Sequence, residues 1–168
     1  RRAHNPEVVG VLKKFRNVLR LTVGYLRRIS QVLPNHPRFA SGLQRLMLTA
    51  SSLALVPGTA YHPELAAWLQ DTILMPQVDG KDWGCVADDL REARVDLDHA
   101  SRLVLCRGLT ELVGLLEGSQ AAHGDLSSGN VFFDLRAGAA SLIDFDSLYH
   151  TSFAMPKGTT CGTSGYIA

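Results

Sequence analysis

Between Val8 and Pro63 the chain contains no aspartate or glutamate. Residues 1–63 carry ten Lys and Arg against the single acid Glu7, and residues 64–168 carry seven against fifteen, so the formal net charge of +1 hides +9 and −8. A basic stretch of this kind can meet nucleic acid or an acidic membrane surface. Here no aromatic interleaving or nucleic-acid motif accompanies the charge, so nucleic acid is not the expected partner. The simpler expectation is that the two halves complement each other or that the basic groups are solvated. Cysteine is also scarce: Cys85, Cys106 and Cys161 are odd in number and widely spaced. That excludes a disulfide framework and a zinc site and points to a reducing, cytoplasmic setting. No apolar run is long enough to span a bilayer and no signal-peptide core opens the chain, so no membrane partner is expected. The 168 residues suffice for one domain. Because the chain begins at Arg1 and stops in mid-pattern at "GTSGYIA", it reads as a piece of something longer.

What is present is a mainly helical pattern with a few short strands. "VVGVLKKF" (Val8 to Phe15) reads as a strand or the start of a helix. "NVLRLTVGYLRRISQVL" places Val18, Leu19, Leu21, Tyr25, Leu26, Ile29 and Val32 on one face and Arg on the other, which predicts an amphipathic helix. "PNHP" breaks it, and Phe39 to Val56 reads as a second helix. His62-Pro63 opens a short helix through Trp68, because proline suits a first helical turn. "TILMPQV" (Thr72 to Val78) predicts a buried strand followed by a turn, and Asp88 to Asp98 a short helix with loop. Leu105, Leu109, Leu112 and Leu116 predict a core helix over Ala100 to Glu117. "NVFFD" and "ASLIDF" then read as two strands of a hairpin, and Ser147 to Ala168 as loop.

The helix and hairpin frame H-x-D-x-x-x-x-N (His123, Asp125, Asn130) followed by I-D-F with Asp144. This order has a chemical logic. Phosphoryl transfer is chiefly a problem of positioning and charge neutralisation. Asp125 can supply a carboxylate beside an acceptor hydroxyl. Asn130 offers a neutral carbonyl oxygen and Asp144 a full charge, both hard donors of the kind magnesium takes. A hairpin can return Asp144 alongside Asn130 although the two stand fourteen positions apart. His123 suits orienting the loop by hydrogen bonding rather than chemistry. The competing reading is that Asp125, Asn130 and Asp144 merely cap turns.

The segment from Ala100 to Ala168 resembles the protein-kinase superfamily, with further similarity to aminoglycoside and choline phosphotransferases. "HGDLSSGN" looks like the catalytic loop H-R-D-L-x-x-x-N, "DFD" like the magnesium-binding D-F-G, and "GTSGYIA" like the segment leading into A-P-E. The resemblance implies an α+β, partial protein-kinase-like fold. Residues 1–78 would be a divergent or incomplete small-lobe region; residues 79–168 would hold the hinge, the first part of the large lobe, the catalytic loop and the activation segment. It implies ATP and magnesium as cofactors, Asp125 as catalytic base, Asn130 and Asp144 as metal ligands, and Thr163 as a loop residue near the acceptor hydroxyl. It also implies that the strand and hinge from Ile73 to Trp83, with Met75, Gln77 and Val78, hold the adenine. "VLKKF" matches the V-A-I-K strand and makes Lys13 the phosphate-pairing lysine.

Several positions depart from that pattern. Gly124 replaces the Arg that latches a phosphorylated activation loop, which leaves Thr159 and Thr160 as weak candidates for an activating site. Ser127 replaces a Lys near the transferring phosphoryl group, and Asp146 replaces the Gly of D-F-G. No G-x-G-x-x-G loop occurs, and Arg27 and Arg28 stand on the helix where the family carries the Glu that pairs with its lysine. Three functions follow. The first is an ATP- and magnesium-dependent phosphotransferase acting on a Ser/Thr hydroxyl of a protein, active in the full-length protein and inactive in this piece alone. The second is a small-molecule kinase acting on a hydroxyl acceptor, and the third a non-catalytic kinase-like binding module. "CGTSGYIA" favours the first, because a Gly-Thr-x-x-Tyr-x-Ala loop serves a peptide platform.

Overall fold

The computed structural model describes residues 10–14, 22–55, 62–154 and 163. The architecture is α+β, and all strand pairings among the described residues are antiparallel. Strands β1 (Gly10–Lys14), β2 (Leu46–Leu48) and β3 (Thr72–Pro76) form one sheet in the order β1-β3-β2. The register sets Lys13 opposite Ile73 and Met47 opposite the same residue from the other side. β3 is the central strand, which explains why Thr72 and Ile73 are fully buried. Of the expected run Thr72 to Val78, Gln77 and Val78 fall in the connection that follows the strand.

Helix α1 (Val23–Val32) lies between β1 and β2 in the chain. Thr22 caps it by accepting from the Tyr25 amide at 3.1 Å. Its buried face is Tyr25, Leu26 and Ile29, and Arg27 and Arg28 are exposed, as the apolar periodicity required. The part of that helix expected up to and including Leu21 lies outside the described residues.

The second expected helix does not form. The stretch from Phe39 divides into a turn of 3-10 helix (Pro37–Phe39), α2 (Ala40–Leu43), β2 and α3 (Ala50–Leu53), and Val56 lies outside the described residues. Two causes are visible. Gly42 sits where a Cβ would approach Leu33 to 2.4 Å and Phe145 to 2.6 Å, so the backbone is pressed into the core there. Leu46–Leu48 then pairs with β3, and a capping box between Thr49 and Ser52 starts a fresh helix. Apolar spacing over short consecutive elements had imitated a single helical period.

Helix α4 (Pro63–Leu69) opens at the proline, as expected. Strand β4 (Lys81–Asp82) leads into α5 (Trp83–Arg91), capped by the Asp82 carboxylate on the Cys85 amide at 2.9 Å. The helix expected after Asp88 therefore begins five residues earlier, at this cap. Helix α6 (His99–Gly118) is capped by Asp98 and buries Leu105, Leu112 and Leu116. Strand β5 (Ala121–Ala122) follows, and β6 (Val131–Asp134) and β7 (Ala139–Leu142) form the expected hairpin. Within the stretch expected to be loop, β8 (Tyr149–His150) pairs with β5 and carries the chain back beside His123.

One apolar cluster joins these parts. Ile29, Phe39, Ile73, Val131, Leu142, Phe145 and Leu148 are all fully buried within it. Phe39 meets Phe145 edge to face at 5.8 Å, and Ser41 donates to the Leu142 carbonyl at 3.1 Å. The first half of the chain is thereby packed on the hairpin that carries the polar motif. No helix among the described residues is long and apolar enough to cross a membrane.

Candidate active site

The loop between β5 and β6 carries His123, Asp125 and Asn130, and its shape follows from its own hydrogen bonds. The Asn130 amide nitrogen Nδ2 donates to the Asp125 carbonyl at 2.8 Å and to its carboxylate Oδ2 at 3.1 Å. With Nδ2 committed, the Asn130 side-chain oxygen has no donor among the described residues. The Asn130 carbonyl accepts from the Ile143 amide at 3.0 Å, one step beyond the Val131–Leu142 pair of the hairpin. The hairpin thus brings Asn130 to within one residue of Asp144 across the ladder.

Gly124 has φ +78, and a Cβ there would lie 1.9 Å from the Ser147 carbonyl oxygen. The backbone of the 3-10 turn Phe145–Ser147 occupies the space that any side chain at position 124 would need. A Gly at position 124 is therefore a packing requirement here.

His123 is buried, and its Nε2 donates to the Ile143 carbonyl at 2.7 Å while its ring rests on Phe145. Burial pushes its pKa below the ordinary 6.5, overcoming the Ile143 hydrogen bond and the nearby Asp144 and Asp125 charges. Its Nδ1 is buried with no hydrogen-bond partner among the described residues, so a second ring proton would have no acceptor there.

Asp144 follows Ile143 in the left-handed backbone region, at φ 62 and ψ 58, an uncommon conformation for a non-glycine residue. Its Oδ1 meets the Lys13 ammonium at 2.5 Å, and Lys13 also meets Asp146 Oδ2 at 2.6 Å. The second Asp146 oxygen accepts from Arg45 Nη2 at 2.5 Å. The Arg45 side chain is only 1% exposed. The Tyr25 hydroxyl, on α1, donates to the Leu148 carbonyl at 3.1 Å and more weakly to the Asp146 carbonyl at 3.4 Å. Burial opposes ionisation of both carboxylates. For Asp144 the Lys13 charge and hydrogen bonds outweigh it and hold the pKa below the usual carboxylate range. For Asp146 burial prevails and pushes the pKa up, against the pull of Arg45 and Lys13 and with help from the Asp144 charge. The Tyr25 phenol, buried and near Asp146, is pushed up to about 12.

The outer face of the site is marked by Thr163, whose hydroxyl donates to Asp125 Oδ1 at 2.7 Å. Asp125 thus touches Asn130 and Thr163, Lys13 touches Asp144, and the backbone of Ile143, bonded by both His123 and Asn130, joins the two groups. Met75 is buried in β3 opposite Val11, Gln77 is exposed and Val78 half-buried. None of these three joins the polar contacts of the cluster. Thr159 and Thr160 lie outside the described residues.

Among the described residues no group of three or more His, Cys, Asp and Glu forms a metal cage. Asp144 and Asn130, the two residues expected to hold magnesium, stand at neighbouring positions across the hairpin.

Arg45 and the paired role of Asp146 had no motif to announce them. The legible signal was indirect: a cation buried in a segment without acids must find its carboxylate elsewhere in the chain. No protein-family model matches the chain, and comparison with curated proteins finds no match.

Proposed function

We propose that this chain is a partial protein-kinase-like domain whose site transfers the γ-phosphoryl group of ATP to a Ser/Thr hydroxyl of a protein. The observation that carries the reading is the Thr163 hydroxyl on Asp125 Oδ1, 2.7 Å away, beside a carboxylate and an amide oxygen suited to magnesium. That contact is the geometry an acceptor hydroxyl needs: oriented by Asp125, it attacks the γ-phosphorus while the bond to the β-phosphate oxygen breaks and ADP leaves. Asp125 takes up or directs the hydroxyl proton. Asn130 Nδ2 holds the Asp125 carboxylate in place. Lys13, on β1, stands as the cation for the phosphates, and His123 fixes the backbone at Ile143, which orients Asp144. ATP and magnesium supply the phosphoryl group and the neutralisation of its charge, with Asp144 and Asn130 as the residues that would hold the metal.

The element order is compatible with the same reading: the strand bearing the lysine, α1 and α2, β2, α3 and α4, β3, then β4, α5, α6 and the polar hairpin. The test is magnesium-dependent ATP turnover by the full-length protein, with a generic protein substrate and with aminoglycosides as acceptors. Asp144→Ala and Asp125→Asn are expected to lower turnover, the latter about 10²- to 10⁴-fold. Transfer to the aminoglycoside alone assigns the chain to small-molecule kinases. If wild type and Asp144→Ala are equally inert and ATP causes no thermal shift, the enzyme reading falls and a binding module remains.

A further inference from the structure

A phosphate-pairing lysine needs an acid to aim it, and the helix that follows Lys13 carries none. No Asp or Glu occurs from Val8 to Pro63, and α1 turns Arg27 and Arg28 to solvent. Two acids that reach Lys13 come from the other half of the chain: Asp144 Oδ1 at 2.5 Å and Asp146 Oδ2 at 2.6 Å. These two are not equivalent. Asp144 is 30% exposed at the side chain and is the carboxylate facing the metal and phosphates in the proposed reaction. Asp146 is 11% exposed, and its other oxygen is clamped at 2.5 Å by a guanidinium that is 1% exposed. Arg45 immediately precedes β2, which flanks β3 on the side opposite β1, so the clamp and the lysine reach Asp146 from opposite edges of one sheet.

We propose that Asp146, braced by Arg45, is the acid that positions Lys13 for the nucleotide phosphates. The inference rests on the phosphotransfer reading above. Asp146 is a positioning residue, acting through Lys13. The anchor of the lysine sits two residues from Asp144 on the same turn, and α1 contributes to it through the Tyr25 hydroxyl instead of a carboxylate.

The test is a double-mutant cycle in the full-length protein: Lys13→Met, Asp146→Asn and the pair, read as kcat/KM for magnesium ATP, with wild type and Asp144→Ala as controls. Each single substitution is expected to lower kcat/KM about tenfold or more, chiefly through KM, and the pair no further than the worse single. Additive losses, or an Asp146→Asn variant with wild-type kinetics, overturn the inference. Additive losses with a raised magnesium requirement do so by making Asp146 a metal ligand. Should circular dichroism show Asp146→Asn unfolded, Asp146→Glu enters the same cycle, since it keeps a charge against Arg45 while displacing the carboxylate from Lys13. A wild type as inert as Asp144→Ala sinks the phosphotransfer reading itself; an active wild type with an additive cycle sinks only the role of Asp146.

Discussion

His123 is held between a carbonyl on Nε2 and an apolar wall on Phe145, and its buried Nδ1 meets no acceptor. Protonation would put a charge and an unsatisfied N–H into the core. Between the depressed folded pKa and the ordinary 6.5, the unfolded chain binds a proton that the folded chain refuses. Stability is therefore complete above pH 6.5 and falls as the pH drops below it, by up to about 1.4 kcal/mol per pH unit. Thermal melts between pH 7.5 and about 5 should show this slope, and His123→Asn should flatten it. An unchanged slope in the variant would mean that another group controls the limb.

Among the elements, α2 is the one whose position the rest depends on. It is four residues long and has no propensity or capping bond to sustain it alone. It is held by contact: Gly42 against Leu33 and Phe145, and Ser41 on the Leu142 carbonyl. Gly42→Ala would push a methyl group into that contact and should destabilise the fold by about 1–3 kcal/mol in urea titration. Because α2 leads through Leu43 and Gln44 to Arg45, the same substitution should weaken the hold on Asp146. Helices α1, α4 and α6 and the β6–β7 hairpin were legible because each is long, strongly periodic or bounded by proline or a tight turn. The segment from Phe39 to Val56 was not, because the close approach that requires Gly42 and the pairing of β2 are imposed by residues distant in sequence. The two-residue strand β8 escaped for a similar reason, since only β5 defines it.

For the molecule as a whole, the charge asymmetry resolves into contacts. Lys13 and Arg45 from the acid-free half meet Asp144 and Asp146 from the acidic half. Beneath them runs one core, with Phe145 at its junction, fully buried and in ring contact with Phe39 from the first half and His123 from the second. Phe145→Ala should cost about 3–5 kcal/mol and lower the urea midpoint. Far-UV circular dichroism and tryptophan fluorescence should still report a single coincident transition, because the described residues of the two halves share one apolar cluster. Two resolved transitions would contradict that shared core.

The sequence by itself determined the hairpin, the helix before it, and the residues Asp125, Asn130 and Asp144 with the chemistry their types permit. Those features rest on local periodicity, turn residues and short spacings, which are properties of neighbouring positions. It also marked Lys13, though only by the form of its strand. The tertiary structure alone decided that Lys13 meets Asp144 and Asp146, that Arg45 stands behind Asp146, and that Gly124 leaves room for the Ser147 backbone. Each of those is a contact between segments far apart in the chain, and its geometry exists only once the core between them has closed.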